Sequence, residues 1–214
     1  KWQGLNAVAF GTSLTYRSMP GSSGGYLNYL PKLSGMEIDN QGLGNSRIVS
    51  DMMAKITGYT EYADKRVVIL EGFVNDWAKN SPLGTYTDVY VTNEDNSTCA
   101  CVRQAIEYVY AQNPNITMFL VLDSYGKHGS ASDETSTKKN AAGLTQYEYY
   151  EEIAKVAESM GIHVIKLYAE SGMSERTPGY FIDNIHPSPA GAKQTANIIW
   201  CGIKRWLPNV IPET

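Results

Sequence analysis

Cysteine and histidine are both scarce in this chain, with three of each among 214 residues. Cys99, Cys101 and Cys201 are odd in number, so at least one thiol has no partner within the chain. No Cys-x-x-Cys pair of the zinc type occurs. The three read as small buried hydrophobes on helices, with a bridge from Cys201 to one of the others left open. His128, His163 and His186 are too dispersed for the closely spaced set that a catalytic zinc needs, so no metal site is expected. Positive charge is short as well. Lys and Arg number 18 against 22 Asp and Glu, a net −4 that lacks the basic excess of a nucleic-acid binder. No apolar run approaches the ~18 residues of a membrane span. These absences leave a soluble, mildly acidic globular protein, with residues 1–214 expected to form one domain long enough to bury its own core. The chain opens on Lys1, which fits a cleaved leader and a trimmed tag alike, so secreted and cytoplasmic locations both stay open. Oligomeric state is not legible.

What is present is an alternation of short apolar runs with helical patterns. Asn6–Phe10, Met36–Asn40, Arg66–Glu71, Ile116–Leu122 and Ile162–Tyr168 read as strands. Continuous apolar runs such as RVVILE suit strands covered on both faces, as in a parallel sheet. Gly25–Lys32, Arg47–Ile56, Ser97–Ala111, Leu144–Met160 and Pro189–Trp206 read as helices. Ser97 and Thr98 are candidate caps, Gly161 suits a helix stop, and Pro189 suits a first turn. Five β-α repeats argue for a doubly wound α/β sandwich. Such sheets bind ligands beyond the C-terminal ends of their strands. Two long irregular stretches, roughly 78–96 and 124–143, leave strand ends and are placed to wall a pocket.

Four segments at those strand ends carry chemistry-bearing residues. Gly11-Thr12-Ser13-Leu14 puts a serine just past the first strand, after a glycine that lets the chain turn. Asn40–Asn45 follows the second strand, and its glycines leave backbone N–H groups free to face a cleft. Glu71–Trp77 follows the third strand and offers the Asn75 amide. Asp183-Asn184-Ile185-His186-Pro187 precedes the last helix and sets a carboxylate three residues from an imidazole. That pair can take a proton from a serine while the carboxylate fixes the ring. Each segment alone is also an ordinary turn. All four in this order at one sheet edge are hard to assign to turns alone.

Read as blocks, Gly11–Leu14, Asn40–Asn45, Gly72–Asp76 and Asp183–His186 resemble the four motifs of the GDSL/SGNH hydrolase superfamily of serine esterases and lipases. The segment after His186 (Pro187-Ser188-Pro189-Ala190-Gly191) is similar too. The resemblance implies a three-layer α/β/α sandwich with a five-stranded parallel sheet, flavodoxin-like, and a cofactor-free enzyme that cleaves esters. It implies Ser13 as nucleophile, His186 as general base and acid, and Asp183 as the residue that orients His186. The oxyanion hole would combine the Ser13 N–H, an N–H of Gly44 or Asn45, and the Asn75 side chain.

This chain departs from the family pattern in three places. Thr12 stands where the family has Asp, Asn45 where it has a second glycine, and two residues separate Gly72 from Asn75. If the position of Asn45 needs positive φ, Asn is the least costly replacement for Gly. Thr12→Asp is expected to be tolerated, since it restores the family residue. The substrate reading is a short acyl group such as acetyl on a carbohydrate or another polar alcohol, because the polar loops offer no long apolar channel. Three alternatives use the same sheet edge. One is a thioesterase or acyltransferase with the same triad, and another an inactive binding module on the same fold. The third is a serine hydrolase with Asp123 as its acid, although Asp123 also reads as a solvated turn residue.

Overall fold

The computed structural model of the protein describes residues 4–16, 25–125, 137–174, 176–183 and 185–207. Five strands, β1 (Asn6–Gly11), β2 (Glu37–Gly42), β3 (Val67–Gly72), β4 (Thr117–Leu122) and β5 (His163–Lys166), form one sheet. All pairings are parallel, and the strand order is β2-β1-β3-β4-β5. Alternation along each strand sends side chains to opposite faces. Val8, Phe10, Val68, Leu70, Met118 and Leu120 enter one core, and Ala7, Ala9, Val67, Ile69, Phe119 and Val121 enter the other. Both faces of β1, β3 and β4 are covered, which is why these three strands are mostly apolar, whereas the edge strand β2 is polar and partly exposed. Each fully buried branched residue stabilises the sheet by about 1.5–3 kcal/mol.

Seven α-helical segments among the described residues flank the sheet: α1 (Leu30–Ser34), α2 (Met53–Gly58), α3 (Val74–Ala78), α4 (Thr98–Gln112), α5 (Gln146–Ser159), α6 (Leu167–Glu170) and α7 (Pro189–Trp206). Helices α2, α4 and α5 cover the first face, through Ile56, Val102, Ile106, Tyr149 and Ile153. Helices α1 and α7 cover the second, through Leu30, Ala196, Ile199 and Ile203. Caps set the long helices. Ser97 Oγ accepts from the Ala100 N–H at the start of α4, and Ser188 Oγ from the Gly191 N–H at the start of α7. Thr145 and Glu148 form a reciprocal capping box on α5.

Several elements differ from the sequence expectation. The helix expected over Gly25–Lys32 divides into a 3-10 turn (Tyr26–Asn28) and α1, because Pro31 has no N–H to continue the first segment. The Arg47–Ile56 helix opens as a π-turn (Ile48–Met52) before α2. The fifth strand stops at Lys166, and Leu167–Glu170 turns helical as the Glu170 carboxylate accepts from the Lys166 N–H. Helix α3 was not anticipated inside the Asn75 block. All three thiols are free, so no bridge joins Cys201 to the others. Cys99 and Cys101 are buried, and burial pushes both up to about 12, whereas Cys201 is exposed. No described helix is long and apolar enough to cross a membrane.

The order 2-1-3-4-5 reverses direction between β1 and β3, where a crevice opens beyond the strand ends. Gly11 ends β1 and Gly72 ends β3, so Ser13 and Asn75 both follow the strands that flank this switch point.

Candidate active site

Glycine makes the close approaches at the end of β1. A Cβ on Gly11 would collide with the Thr15 hydroxyl and the Glu71 carboxylate. A Cβ on Gly42 would fall 2.6 Å from the Tyr16 backbone nitrogen. The Leu43 N–H donates to the Gly11 carbonyl at 2.8 Å, which locks the end of β2 to the turn carrying Ser13. That turn closes on itself, since the Thr15 and Tyr16 N–H groups both donate to the Thr12 carbonyl.

On this turn Ser13 is half-buried, and its Oγ lies 2.9 Å from His186 Nε2. The other ring nitrogen, Nδ1, lies 2.7 Å from Asp183 Oδ2. A carboxylate only accepts, so Nδ1 carries the proton and Nε2 presents its lone pair to the Ser13 hydroxyl. Asp183 Oδ1 accepts from the Ile185 and His186 N–H groups, each at 2.7 Å. Partial burial alone would raise the Asp183 carboxyl. Those N–H donors and the imidazole outweigh it and hold the group below the ordinary carboxylate range.

The Asp183–His186 loop is fixed from behind. Phe181 bridges Pro187, the Ile182 N–H donates to the His186 carbonyl, and the Ser188 N–H donates to the Tyr180 carbonyl. A Cβ on Gly191 would collide with the Tyr180 carbonyl, so the helix start must be small there for the loop to reach the serine.

The candidate oxyanion donors lie on the Ser13 turn and on two further segments. The backbone N–H groups of Ser13, Gly44 and Asn45 meet no acceptor among the described residues. Asn45 sits at φ 63, in the left-handed region that Asn tolerates better than other side chains. Its carbonyl is held by Lys79 Nζ at 3.0 Å. One hydrogen of the Asn75 amide goes to the Ser46 carbonyl at 3.0 Å, which fixes the side chain and leaves its second hydrogen unspent. Asp76 does what neither a plain turn nor an Asx turn would do. Buried, it accepts from the Ile48 N–H at 3.1 Å and so ties the Asn75 block to the helix after the glycine block. Burial pushes its carboxyl up to about 6, against the lowering effect of the Ile48 and Val49 N–H groups and of Arg47.

The remaining sequence candidates lie elsewhere. Asp123 is not a solvated turn residue. It is buried, is no partner of His186, and faces Glu71 and Tyr150 instead. His163 stacks on Trp206 with centroids 4.2 Å apart, and burial lowers its imidazole. His128 lies outside the described residues. No group of three or more His, Cys, Asp or Glu among the described residues could hold a metal. A cavity of about 590 Å³ opens between α2 and the 90–96 loop, but Ser13, Asp183 and His186 do not line it. The chemistry of the side chains, and not cavity size, marks the site.

Sequence reasoning passed over Glu71, Thr15 and Asp76. The signal for Glu71 was there: a lone carboxylate closing an otherwise apolar buried strand.

The GDSL-like lipase/acylhydrolase family model matches residues 9–194. No curated protein matches the chain. Among solved structures, a protein from Lactobacillus plantarum is similar at TM-score 0.82 and 21% identity, over 95% of this chain and 98% of that one. A family 3 carbohydrate esterase from Clostridium thermocellum is similar at TM-score 0.67 and 19% identity, over 95% and 97%. A lipase/acylhydrolase from Enterococcus faecalis is similar at TM-score 0.65 and 17% identity, over 98% and 99%. At these identities the three share the fold.

Proposed function

This chain belongs to the GDSL-like lipase/acylhydrolase family, a family of ester hydrolases, and from that premise we propose that it is a serine esterase working through an acyl-enzyme on Ser13. The observation that carries the reading is the unbroken chain Ser13 Oγ, His186 Nε2, His186 Nδ1, Asp183 Oδ2, with both links under 3 Å.

Ser13 Oγ attacks the ester carbonyl while His186 Nε2 takes its proton. Asp183 holds the ring in the tautomer that can accept and stabilises the imidazolium that forms. The carbonyl oxygen becomes an oxyanion, and the unspent N–H groups of Ser13, Gly44 or Asn45, together with the Asn75 amide, stabilise it. The alcohol leaves with the proton from His186. Water then attacks the acyl-enzyme, His186 accepts its proton, and Ser13 departs with that proton restored.

The substrate we assign is a short acyl group, such as acetyl, on a carbohydrate or another polar alcohol. The Asp183 side chain is 47% exposed at the edge of the site, an open rim that suits a hydrated leaving group better than a buried acyl chain. A solved structure that shares this fold is a carbohydrate esterase, which supports a carbohydrate ester as the substrate. The same open rim gives water access to the acyl-enzyme, which favours hydrolysis over acyl transfer.

The test is hydrolysis of p-nitrophenyl acetate by the wild type beside Ser13→Ala. Turnover lost in the variant supports the reading. Equal turnover in both removes Ser13 as nucleophile, and none in a folded wild type favours a binding module.

A further inference from the structure

Behind the serine turn lies a second carboxylate, one that the reaction above does not use. Glu71, at the end of β3, is 1% exposed. Three donors converge on it, all from the turn that carries Ser13. The Thr12 N–H reaches Oε2 at 3.0 Å, the Thr12 hydroxyl reaches Oε1 at 2.9 Å, and the Thr15 hydroxyl reaches Oε2 at 2.6 Å. Tyr26 supports the set from the far side, with its hydroxyl 3.1 Å from Thr15 Oγ1. Thr15 gives its only hydrogen to Glu71, so Tyr26 donates to Thr15.

Resting on the assignment of Ser13 as nucleophile, we propose that Glu71 is a positioning residue, whose carboxylate clamps both sides of the Ser13 turn to the end of β3 and so sets the approach of Ser13 Oγ to His186.

Asp123 seats the clamp. It directly follows β4, the neighbour of β3, is buried, and its side chain interacts with that of Glu71. Two carboxylates in contact cannot both be ionised. Glu71 receives three donors and must accept, so the shared proton belongs on Asp123. Burial and the Glu71 charge both raise the Asp123 carboxyl, in agreement with that placement. Asp123 Oδ1 has no hydrogen-bond partner among the described residues, and Tyr150 donates to Oδ2 at 3.3 Å. The clamp also accounts for Thr12 in place of the family Asp. A hydroxyl donates to Glu71, and an ionised carboxylate would repel it.

The experiment compares Glu71→Gln with the wild type on p-nitrophenyl acetate, with thermal melting to establish that the variant folds. It also measures the rate at which a fluorophosphonate probe labels Ser13. Gln keeps one acceptor for the Thr12 N–H and loses the second. The expected result is a fall in kcat and in labelling rate of roughly ten- to a hundredfold, the range that small misplacement of a reacting atom produces, with KM within about twofold. An unchanged kcat and labelling rate in folded Glu71→Gln overturns the inference. If that variant fails to fold, Thr12→Val and Thr12→Ser decide. Val keeps the shape and the N–H but loses the hydroxyl donor, so kcat should fall severalfold, and Ser should recover it. Equal kcat in the two overturns the inference. Ser13→Ala separates the two levels: turnover that survives it overturns the nucleophile assignment itself, whereas turnover lost in Ser13→Ala and unchanged in Glu71→Gln overturns only the clamp.

Discussion

His186 Nδ1 lies 2.7 Å from Asp183 Oδ2, and Asp183 reaches it from a loop that leaves about half of its side chain, 47%, in solvent. The geometry of this hydrogen bond is therefore maintained by the loop backbone and not by a buried pocket. Asp183 Oδ1 is occupied by two backbone N–H groups, so only Oδ2 is free to face the ring.

That division of labour predicts the effect of Asp183→Asn. The amide oxygen keeps the Ile185 and His186 N–H bonds, which turns the amide NH₂ toward Nδ1. The ring then carries its proton on Nε2 and cannot accept from Ser13. A loss in kcat of about 10⁴ is expected, the size seen when a triad imidazole is held in the wrong tautomer. Steady-state hydrolysis measures it, and a loss below tenfold would show that the ring does not depend on Asp183.

Asn75→Ala removes one oxyanion donor and the tie to the Ser46 carbonyl together. The expected fall in kcat is roughly 10²–10³, the cost of a single such donor. Because the Ser46 tie is partly exposed, melting temperature should move little. A large drop in melting temperature with kcat intact would instead make Asn75 a structural strut.

Thr12→Asp reverses the expectation drawn from the family pattern. Thr12 is fully buried and its hydroxyl donates to Glu71, so the new carboxylate would face an existing one. The variant should lose about 3 kcal/mol at pH 8, the scale of an uncompensated buried charge. The loss should narrow toward pH 5, because lower pH favours the neutral form of the new carboxyl, which can donate to Glu71. Urea unfolding at both pH values tests this, and a variant as stable as wild type at pH 8 would refute it.

Asp76 makes a separate pH prediction. Burial raises its carboxyl from 3.8 to about 6 in the folded protein. The folded state thus holds this proton more tightly than the unfolded chain does. The associated stability is fully present below about pH 4 and is lost as pH rises through about 6. Relative to Asp76→Asn, which cannot titrate, the wild type should lose on the order of 3 kcal/mol across that window, at 1.36 kcal/mol per pH unit. Parallel stability curves for the two proteins between pH 4 and 7 would contradict this placement of the Asp76 proton.

Local signals in the sequence marked most of the fold. Apolar runs such as RVVILE and NAVAF are strands covered on both faces, and α7 occupies the span expected for it, because a Ser-Pro start and an amphipathic repeat are written in adjacent residues. Where a long-range partner decides, the sequence was silent or misleading. The Arg47 helix opens wide where Asp76, 28 residues away from Ile48, takes its first N–H groups. The residue types of the site were legible for a similar reason: Ser13, His186 and Asp183 sit in short motifs at strand and loop ends.

The sequence by itself determined the order of the elements, the edge of the sheet at which the candidate residues stand, and which residue types stand there. Only the tertiary structure decided which groups meet. Ser13 and His186 are 173 residues apart, and Glu71 lies 59 residues from Thr12. Contacts of that span depend on strand order and on glycines that let backbones pass closely, and neither the periodicity nor the spacing of residues encodes such a distance. The same limit hid Asp123, which is a charged residue after a strand in sequence and a buried neighbour of Glu71 once β3 and β4 lie side by side.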